Sequence, residues 1–427
     1  MQKQWYQLEG GNSLEGTVII SGAKNASVAI IPAAIMSGEC CILENLPHIQ
    51  DVRSLEKILR LLGAEVDFTS GDCMRIDSSH INSTSVITPE VAEMRASYYL
   101  LGALLGRFHE CDLELPGGCV IGRRPIDQHI KGMRALGAEV TLDEEKNILH
   151  ARAKKLVGTE IFFDMVSVGA TINVMLAASM AEGNTILQNV AKEPHVVDVA
   201  NFLNMMGASV KGAGTDTIRI KGKPKLHGCG YSVIPDQIET GTFMIAAAAT
   251  RGDVIIKNVI PTHMEAVSAK LMESGAHVIE GDDGRDFYIH VTMKDRPRPV
   301  SIKTLAYPGF PTDLQQPMMA YLTTSSGIST ITETIFESRF SHVKELRRMG
   351  ASISLKENTF ARVKGVKELS GTDVYASDLR AGASLIIAGL MAKGTTNVHN
   401  IEFIDRGYEY LDQKLSALGA TISRCEK

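Results

Sequence analysis

The stretch from Leu115 to Asp127 holds a cysteine, Cys119, at its centre and two arginines, Arg123 and Arg124, close behind. It also contains three glycines and two prolines. Glycine supplies turn conformations closed to other residues and proline blocks regular structure, so this segment predicts a shaped loop. A thiol held near fixed positive charge serves as a reactive thiolate or as a tuned proton donor. The alternative is a small buried hydrophobe beside a surface turn.

Other charged and polar residues stand where apolar, helix-like runs begin. Lys24 lies in Ser21-Gly22-Ala23-Lys24-Asn25, at the junction of a strand-like run and a helix-like run. A cation beside a helix N-terminus suits a phosphate, although no P-loop pattern is present. Arg95 enters a second run, and Ser167-Val168-Gly169 opens a third with spare backbone N–H groups. Glu193 precedes Pro194, and Asp236 and Glu239 open a fourth run, where either carboxylate also fits as a helix N-terminal charge. Asp313 follows the turn-rich 308–312, and Arg339, Arg380 and Arg406 stand at later junctions. Gathered on one side, Lys24, Arg124, Arg339, Arg380 and Arg406 would surround an anion although the net charge is −5.

The elements that must position these residues repeat. A helix-like stretch ending in Gly-Ala and a strand recurs at Gly63, Gly137, Gly207, Gly275, Gly350 and Gly419, with a period of about 70 residues. Each of these glycines fits a helix C-cap. A second series of small-residue apolar runs ends near Gly38, Gly106, Gly183, Gly252, Gly327 and Gly394, each followed by a short strand-like run. Ala- and Gly-rich helices approach one another closely, which predicts helices inside and sheets outside. One repeat reads strand, small helix, strand, second helix, strand. Six β/α units suit an α/β protein of two pseudo-symmetric domains of three repeats, with a break near Pro235 and a substrate cleft between the halves. The opening segment 6–20 has strand character and is open to either domain.

Composition narrows the function classes. The 427 residues suffice for two or three domains with their own cores. No clustered excess of Lys and Arg marks a nucleic-acid footprint. The apolar runs at 27–36, 240–250 and 383–392 stop short of the roughly 20 residues that span a bilayer, and the N-terminus lacks signal-peptide features. Seven cysteines without paired spacings argue against a disulfide framework or a cysteine-based zinc site and suit a reducing cytoplasm.

Together the six-fold repeat, Gly22-Ala23-Lys24-Asn25, Pro116-Gly117-Gly118-Cys119, Arg124-Pro125-Ile126-Asp127, 308–313, Asp378-Leu379-Arg380 and Asp405-Arg406-Gly407-Tyr408 resemble the UDP-N-acetylglucosamine 1-carboxyvinyltransferase family of enolpyruvyl transferases. The resemblance spans essentially the whole chain. It implies two inside-out α/β barrel-like domains, 24–234 and 1–23 plus 235–427, closing over substrate. It implies transfer of the enolpyruvyl group of phosphoenolpyruvate to the 3-hydroxyl of the amino sugar, with release of phosphate and no metal or organic cofactor. No nucleic-acid or membrane partner is implied.

By this resemblance Lys24, Arg124 and Arg406 hold the phosphate, and Arg339 and Arg380 face the carboxylate of phosphoenolpyruvate. Sugar-nucleotide contacts fall to Asn25, Arg95, Arg124, Pro125, Ile126, Asp127, Ser167, Val168, Gly169, Glu193, Asp313 and Ile335. Cys119 is the expected donor to C3 of the enol or a covalent partner of C2, and Asp313 the expected base for the hydroxyl. One departure is Met165, where the family's better-known members can have a lysine just before Val-Ser-Val-Gly. Three rival readings are a shikimate-pathway enolpyruvyl transferase, a non-catalytic sugar-nucleotide binder and a thiol redox sensor centred on Cys119.

Overall fold

A computed structural model describes residues 4–88, 91, 94–115 and 125–427. They form two compact units, one of 4–21 with 235–427 and one of the described residues between 22 and 234. Six four-stranded sheets share one pattern. In the first, Gly230–Ser232 pairs parallel with Cys40–Glu44, which is antiparallel to Cys73–Asp77, itself antiparallel to Glu65–Ser70. The other five sheets each repeat one parallel and two antiparallel pairings.

Five of the sheets therefore take a strand, a strand following a buried helix, and a hairpin following a second helix, and in the sixth the N-terminal strand Gln4–Glu9 replaces one arm of the hairpin. The hairpin contributes one strand more than the sequence pattern predicts, because only a short polar turn such as 144–147 divides its arms. The opening segment is two strands. Gln4–Glu9 completes the sixth sheet between Thr395–His399 and Thr421–Glu426, and Glu15–Ile19 runs parallel to Asp253–Lys257 in the fourth.

The small-residue helices lack a polar face and are buried almost all round, as helices that are apolar on every side must be. Residues 26–34, 170–178 and 238–248 are buried without interruption. The second helices end as predicted, with all six Gly-Ala glycines at positive φ between 90° and 108°. The series that closes the small-residue runs needs correction at Gly106, which does not end its helix. It lies inside Tyr99–Phe108, and His109 at φ 62° supplies the left-handed terminus. Small size at Gly106 serves packing, since a Cβ there would sit 3.3 Å from Ala177 Cα.

A further series was not anticipated. Asn45, Asn189, Asn258 and Asn400 each follow the second strand of a repeat in a left-handed conformation. Their side-chain amides donate to the carbonyls of Val233, Phe163, Ile20 and Ala376 at 2.7–3.1 Å. Each acceptor lies one residue beyond the parallel edge strand, so the asparagine clamps that strand's exit. The corresponding positions in the second and fifth repeats are Leu115 and Glu333.

The tightest helix contact joins Tyr99–Phe108 to Val168–Ala178. The Gly102 N–H donates to Asn173 Oδ1 at 2.9 Å, and a Cβ on Gly102 would lie 2.3 Å from the Asn173 backbone oxygen. Backbone cannot yield as a flexible side chain does. Gly102→Ala is expected to lose about 1–3 kcal/mol of stability in urea unfolding, whereas Gly230→Ala, with nothing within 4 Å, should be close to neutral. Equal stability of the two variants would contradict this packing.

Candidate active site

The fifth repeat builds a charged centre in the 235–427 unit. A single turn, Thr312–Leu314, enters the buried helix Gln315–Leu322 and presents Asp313. Arg339 Nη2 donates to Asp313 Oδ1 at 2.6 Å, and Arg380 Nη2 donates to Asp313 Oδ2 at 3.1 Å. The two arginine side chains are 3% and 5% exposed and the aspartate's is 25% exposed, so two buried cations share one half-buried anion.

Local structure holds each partner. Asp378 caps the helix Leu379–Met391 by accepting from the N–H groups of Arg380 and Ala381 at 3.0 and 2.9 Å. Arg380 also lies over the Tyr408 ring, 5.4 Å from its centroid, and Tyr408 in turn meets the Thr242 hydroxyl at 2.8 Å. Burial works against the Arg380 charge, but Asp313, with Tyr408 and Asp236, outweighs it and holds the guanidinium's pKa above its ordinary value. Arg339 lies 5.1 Å from the centroid of Phe336 and donates to Thr312 Oγ1 at 3.2 Å.

Glu333, which the sequence reading passed over, ties these pieces together. It is 1% exposed and accepts from the Thr304 and Thr312 hydroxyls and from the Ile335 and Phe336 N–H groups, at 2.9–3.3 Å. Where four other repeats use an asparagine clamp, this one uses a carboxylate that reaches both the Asp313 turn and the segment leading to Arg339. Two buried donors in this centre, Arg339 Nε and Arg380 Nη1, have no hydrogen-bond partner among the described residues.

The other predicted residues fall as follows. Ile335 is 40% exposed, and Arg406 follows the turn Glu402–Asp405, two residues before Tyr408. In the 22–234 unit Lys24 and Asn25 begin the helix Lys24–Ala34, and Lys24 Nζ pairs with Asp51 at 3.1 Å. Asp51 is almost wholly buried and was not anticipated; an acid opening an otherwise apolar-faced helix was its only sequence signal. Pro125 and Ile126 lead into Asp127–Ala135, and Asp127 accepts from Gln128 at 2.8 Å. Ser167 caps Val168–Ala178 by accepting from Ala170 N–H. Gly169 allows a close approach, because a Cβ there would lie 2.7 Å from His129 Nε2. Glu193 precedes Pro194–Met205, and Met165 is exposed.

Cys119, Arg123, Arg124 and the Arg95 side chain lie outside the described residues. Asp236 and Glu239 take structural roles. Asp236 caps its helix, and Glu239 pairs with Lys414 at 2.6 Å, its pKa raised foremost by burial. Among the described residues no His, Cys, Asp and Glu side chains cluster as a metal site, and no helix is long and apolar enough to cross a membrane.

Behind the charged centre His342 is buried beside Gln316, 3.4 Å from its amide, with Asp378 and Arg339 as charged neighbours. Burial foremost brings its pKa down to about 4. An unfolded chain holds histidine near 6.5, so between those values the unfolded state binds more protons and stability falls as pH drops. Acidification from pH 7 to 4 should cost roughly 2–3 kcal/mol through this residue. Guanidinium unfolding of His342→Gln should show a correspondingly flatter pH dependence; an unchanged slope would contradict the assignment.

The family model described as EPSP synthase (3-phosphoshikimate 1-carboxyvinyltransferase) matches residues 8–415. A UDP-N-acetylglucosamine 1-carboxyvinyltransferase of Clostridium botulinum is 57% identical over 419 residues, 98% of this chain and 99% of that one. Among solved structures, the enolpyruvyl transferase NikO from Streptomyces tendae covers all of both chains with a TM-score of 0.89 at 26% identity. An EPSP synthase from Acinetobacter baumannii covers 99% of this chain and 100% of its own, with a TM-score of 0.73 at 19% identity, a likeness of fold alone. The chain belongs to the enolpyruvyl transferase family that the EPSP synthase model describes, on the branch of the UDP-N-acetylglucosamine 1-carboxyvinyltransferases.

Proposed function

We propose that this protein transfers the enolpyruvyl group of phosphoenolpyruvate to the 3-hydroxyl of UDP-N-acetylglucosamine and releases phosphate, the first committed step of peptidoglycan precursor synthesis. The observation that carries the reading is the Asp313 carboxylate held by two buried guanidiniums that keep unused donors. Two such arginines match a small carboxylate, which planar forks bind in pairs of parallel hydrogen bonds.

The chemistry divides among the residues in this way. The carboxylate of phosphoenolpyruvate takes Arg339 and Arg380, and in exchange releases Asp313. Cys119 gives a proton to C3, so that positive charge develops at C2. The sugar 3-hydroxyl attacks C2 as Asp313 accepts its proton, and a tetrahedral adduct forms. The Cys119 thiolate then takes a proton back from C3 as the bond between C2 and the phosphate oxygen breaks, leaving the enol ether, and protonated Asp313 gives up its proton to the departing phosphate. Lys24, Arg124 and Arg406 neutralise the departing phosphate without moving protons. Proton transfer and charge neutralisation suffice for every step, so the enzyme works without metal or organic cofactor.

Both three-repeat domains, 24–234 and 1–23 plus 235–427, contribute groups to this reaction. The first supplies the sugar-nucleotide contacts Asn25, Arg95, Pro125, Ile126, Asp127, Ser167, Val168, Gly169 and Glu193, and the second adds Ile335. The reaction takes place in the cytoplasm.

Phosphate release from phosphoenolpyruvate tests the assignment. Release is expected with UDP-N-acetylglucosamine and not with shikimate 3-phosphate as acceptor. Asp313→Ala should lower kcat by about 10²–10⁴-fold. Release with shikimate 3-phosphate would favour the other branch of the family, and undiminished turnover of the variant would remove Asp313 from its role.

A further inference from the structure

Six free cysteines lie among the described residues, none of them used by the reaction. Two of them meet. Gly230 of the closing strand Gly230–Ser232 stands opposite Ile42 of Cys40–Glu44, in parallel register. One residue back along both strands Cys229 faces Cys41, and the Ile42 N–H donates to the Cys229 carbonyl at 2.9 Å. Opposed residues on neighbouring strands project from the same face, so the two thiols stand side by side, each near enough to perturb the other's ionisation.

The environment favours this pair over other pairings. Cys41 is fully buried, and Cys229 is partly open to solvent. Cys40 projects from the opposite face of its strand. Cys73 pairs with Ser70 at the far end of the same sheet. Cys229 is thus the sulfur that a solvent-borne oxidant reaches first, and Cys41 the buried partner placed to resolve it.

We propose that Cys41 and Cys229 form a reversible oxidation site, at which a hydroperoxide converts the pair to a disulfide stapling the closing strand of the 22–234 unit to its first sheet. Cys229 Sγ attacks the peroxide, the O–O bond breaks, and an alcohol or water leaves with the thiol proton. Cys41 Sγ then attacks the Cys229 sulfenic acid. The S–S bond forms, the S–O bond breaks, and the hydroxyl leaves as water with the Cys41 proton. Two thiols are oxidised and one peroxide is reduced.

The staple falls where backbone pairing is brief. The closing strand has three residues and continues through Val233, whose N–H donates to the Glu44 carbonyl at 3.0 Å and whose carbonyl accepts from Asn45 at 2.7 Å. A covalent link at its start would secure an edge that otherwise depends on those few bonds.

Peptide mapping of the full-length protein, treated with hydrogen peroxide, alkylated in denaturant and digested without reductant, tests the site. The expected product is a linked pair of peptides bearing Cys41 and Cys229, lighter by two hydrogens and separated by dithiothreitol. Cys40→Ser should keep the link and Cys229→Ser should lose it, and oxidation should raise the thermal midpoint of the wild type but not of Cys229→Ser. Recovery of Cys41 and Cys229 as alkylated thiols, sulfinic acid at Cys229 without a link, or a link persisting in Cys229→Ser would each overturn the proposal.

Discussion

Two guanidiniums sharing one carboxylate set the terms for the polar interior of the 235–427 unit. Taking Arg339 and Arg380 out of water is costly, and only a close anion with good geometry offsets that cost. Asp313 is that anion, and the surrounding residues keep it in place. Glu333 holds the turn that carries Asp313 and the segment that carries Phe336 under Arg339. Asp378 fixes the backbone from which Arg380 projects, and Tyr408 lies against its guanidinium. An ion pair of this kind can be exchanged. In the proposed reaction, an incoming substrate carboxylate that satisfies the arginines would set Asp313 loose with its charge intact, ready to act as base toward the other substrate.

The repeats show how such a site arises within a symmetric scaffold. Four of them spend the position after their second strand on an asparagine that ties down the neighbouring edge strand. The fifth places Glu333 there, and the carboxylate reaches four donors instead of one carbonyl. The second has Leu115, and the chain runs from it directly into the Pro-Gly-Gly-Cys segment. The two repeats that give up the clamp are the two whose residues are assigned to proton transfer. Elsewhere the same architecture needs only small residues, as where Gly102 admits the Asn173 backbone.

Much of this architecture was legible in the chain because it is local. A glycine that ends a helix is recognised by its neighbours, and all six Gly-Ala positions adopt the left-handed conformation. Apolar runs with no polar face predict buried helices, and those helices are buried. What was not legible depends on partners distant in sequence. Gly106 looked like a helix stop, but its role is set by Ala177 on another helix. Glu333, Asp51 and His342 carry no motif, and their significance lies in side chains that only the fold brings near. Of the site, the identities of Asp313, Arg339 and Arg380 could be read, but their mutual pairing across 26 and 67 residues could not.

The exchange of Asp313 for a substrate carboxylate is tested most directly by calorimetric titration of phosphoenolpyruvate into Asp313→Asn, with UDP-N-acetylglucosamine present. Removing the competing carboxylate should make phosphoenolpyruvate bind more tightly than to the wild type, even though turnover is lost. Weaker or unchanged binding would mean that the arginines do not pass from Asp313 to the substrate, and the account of the site would fail.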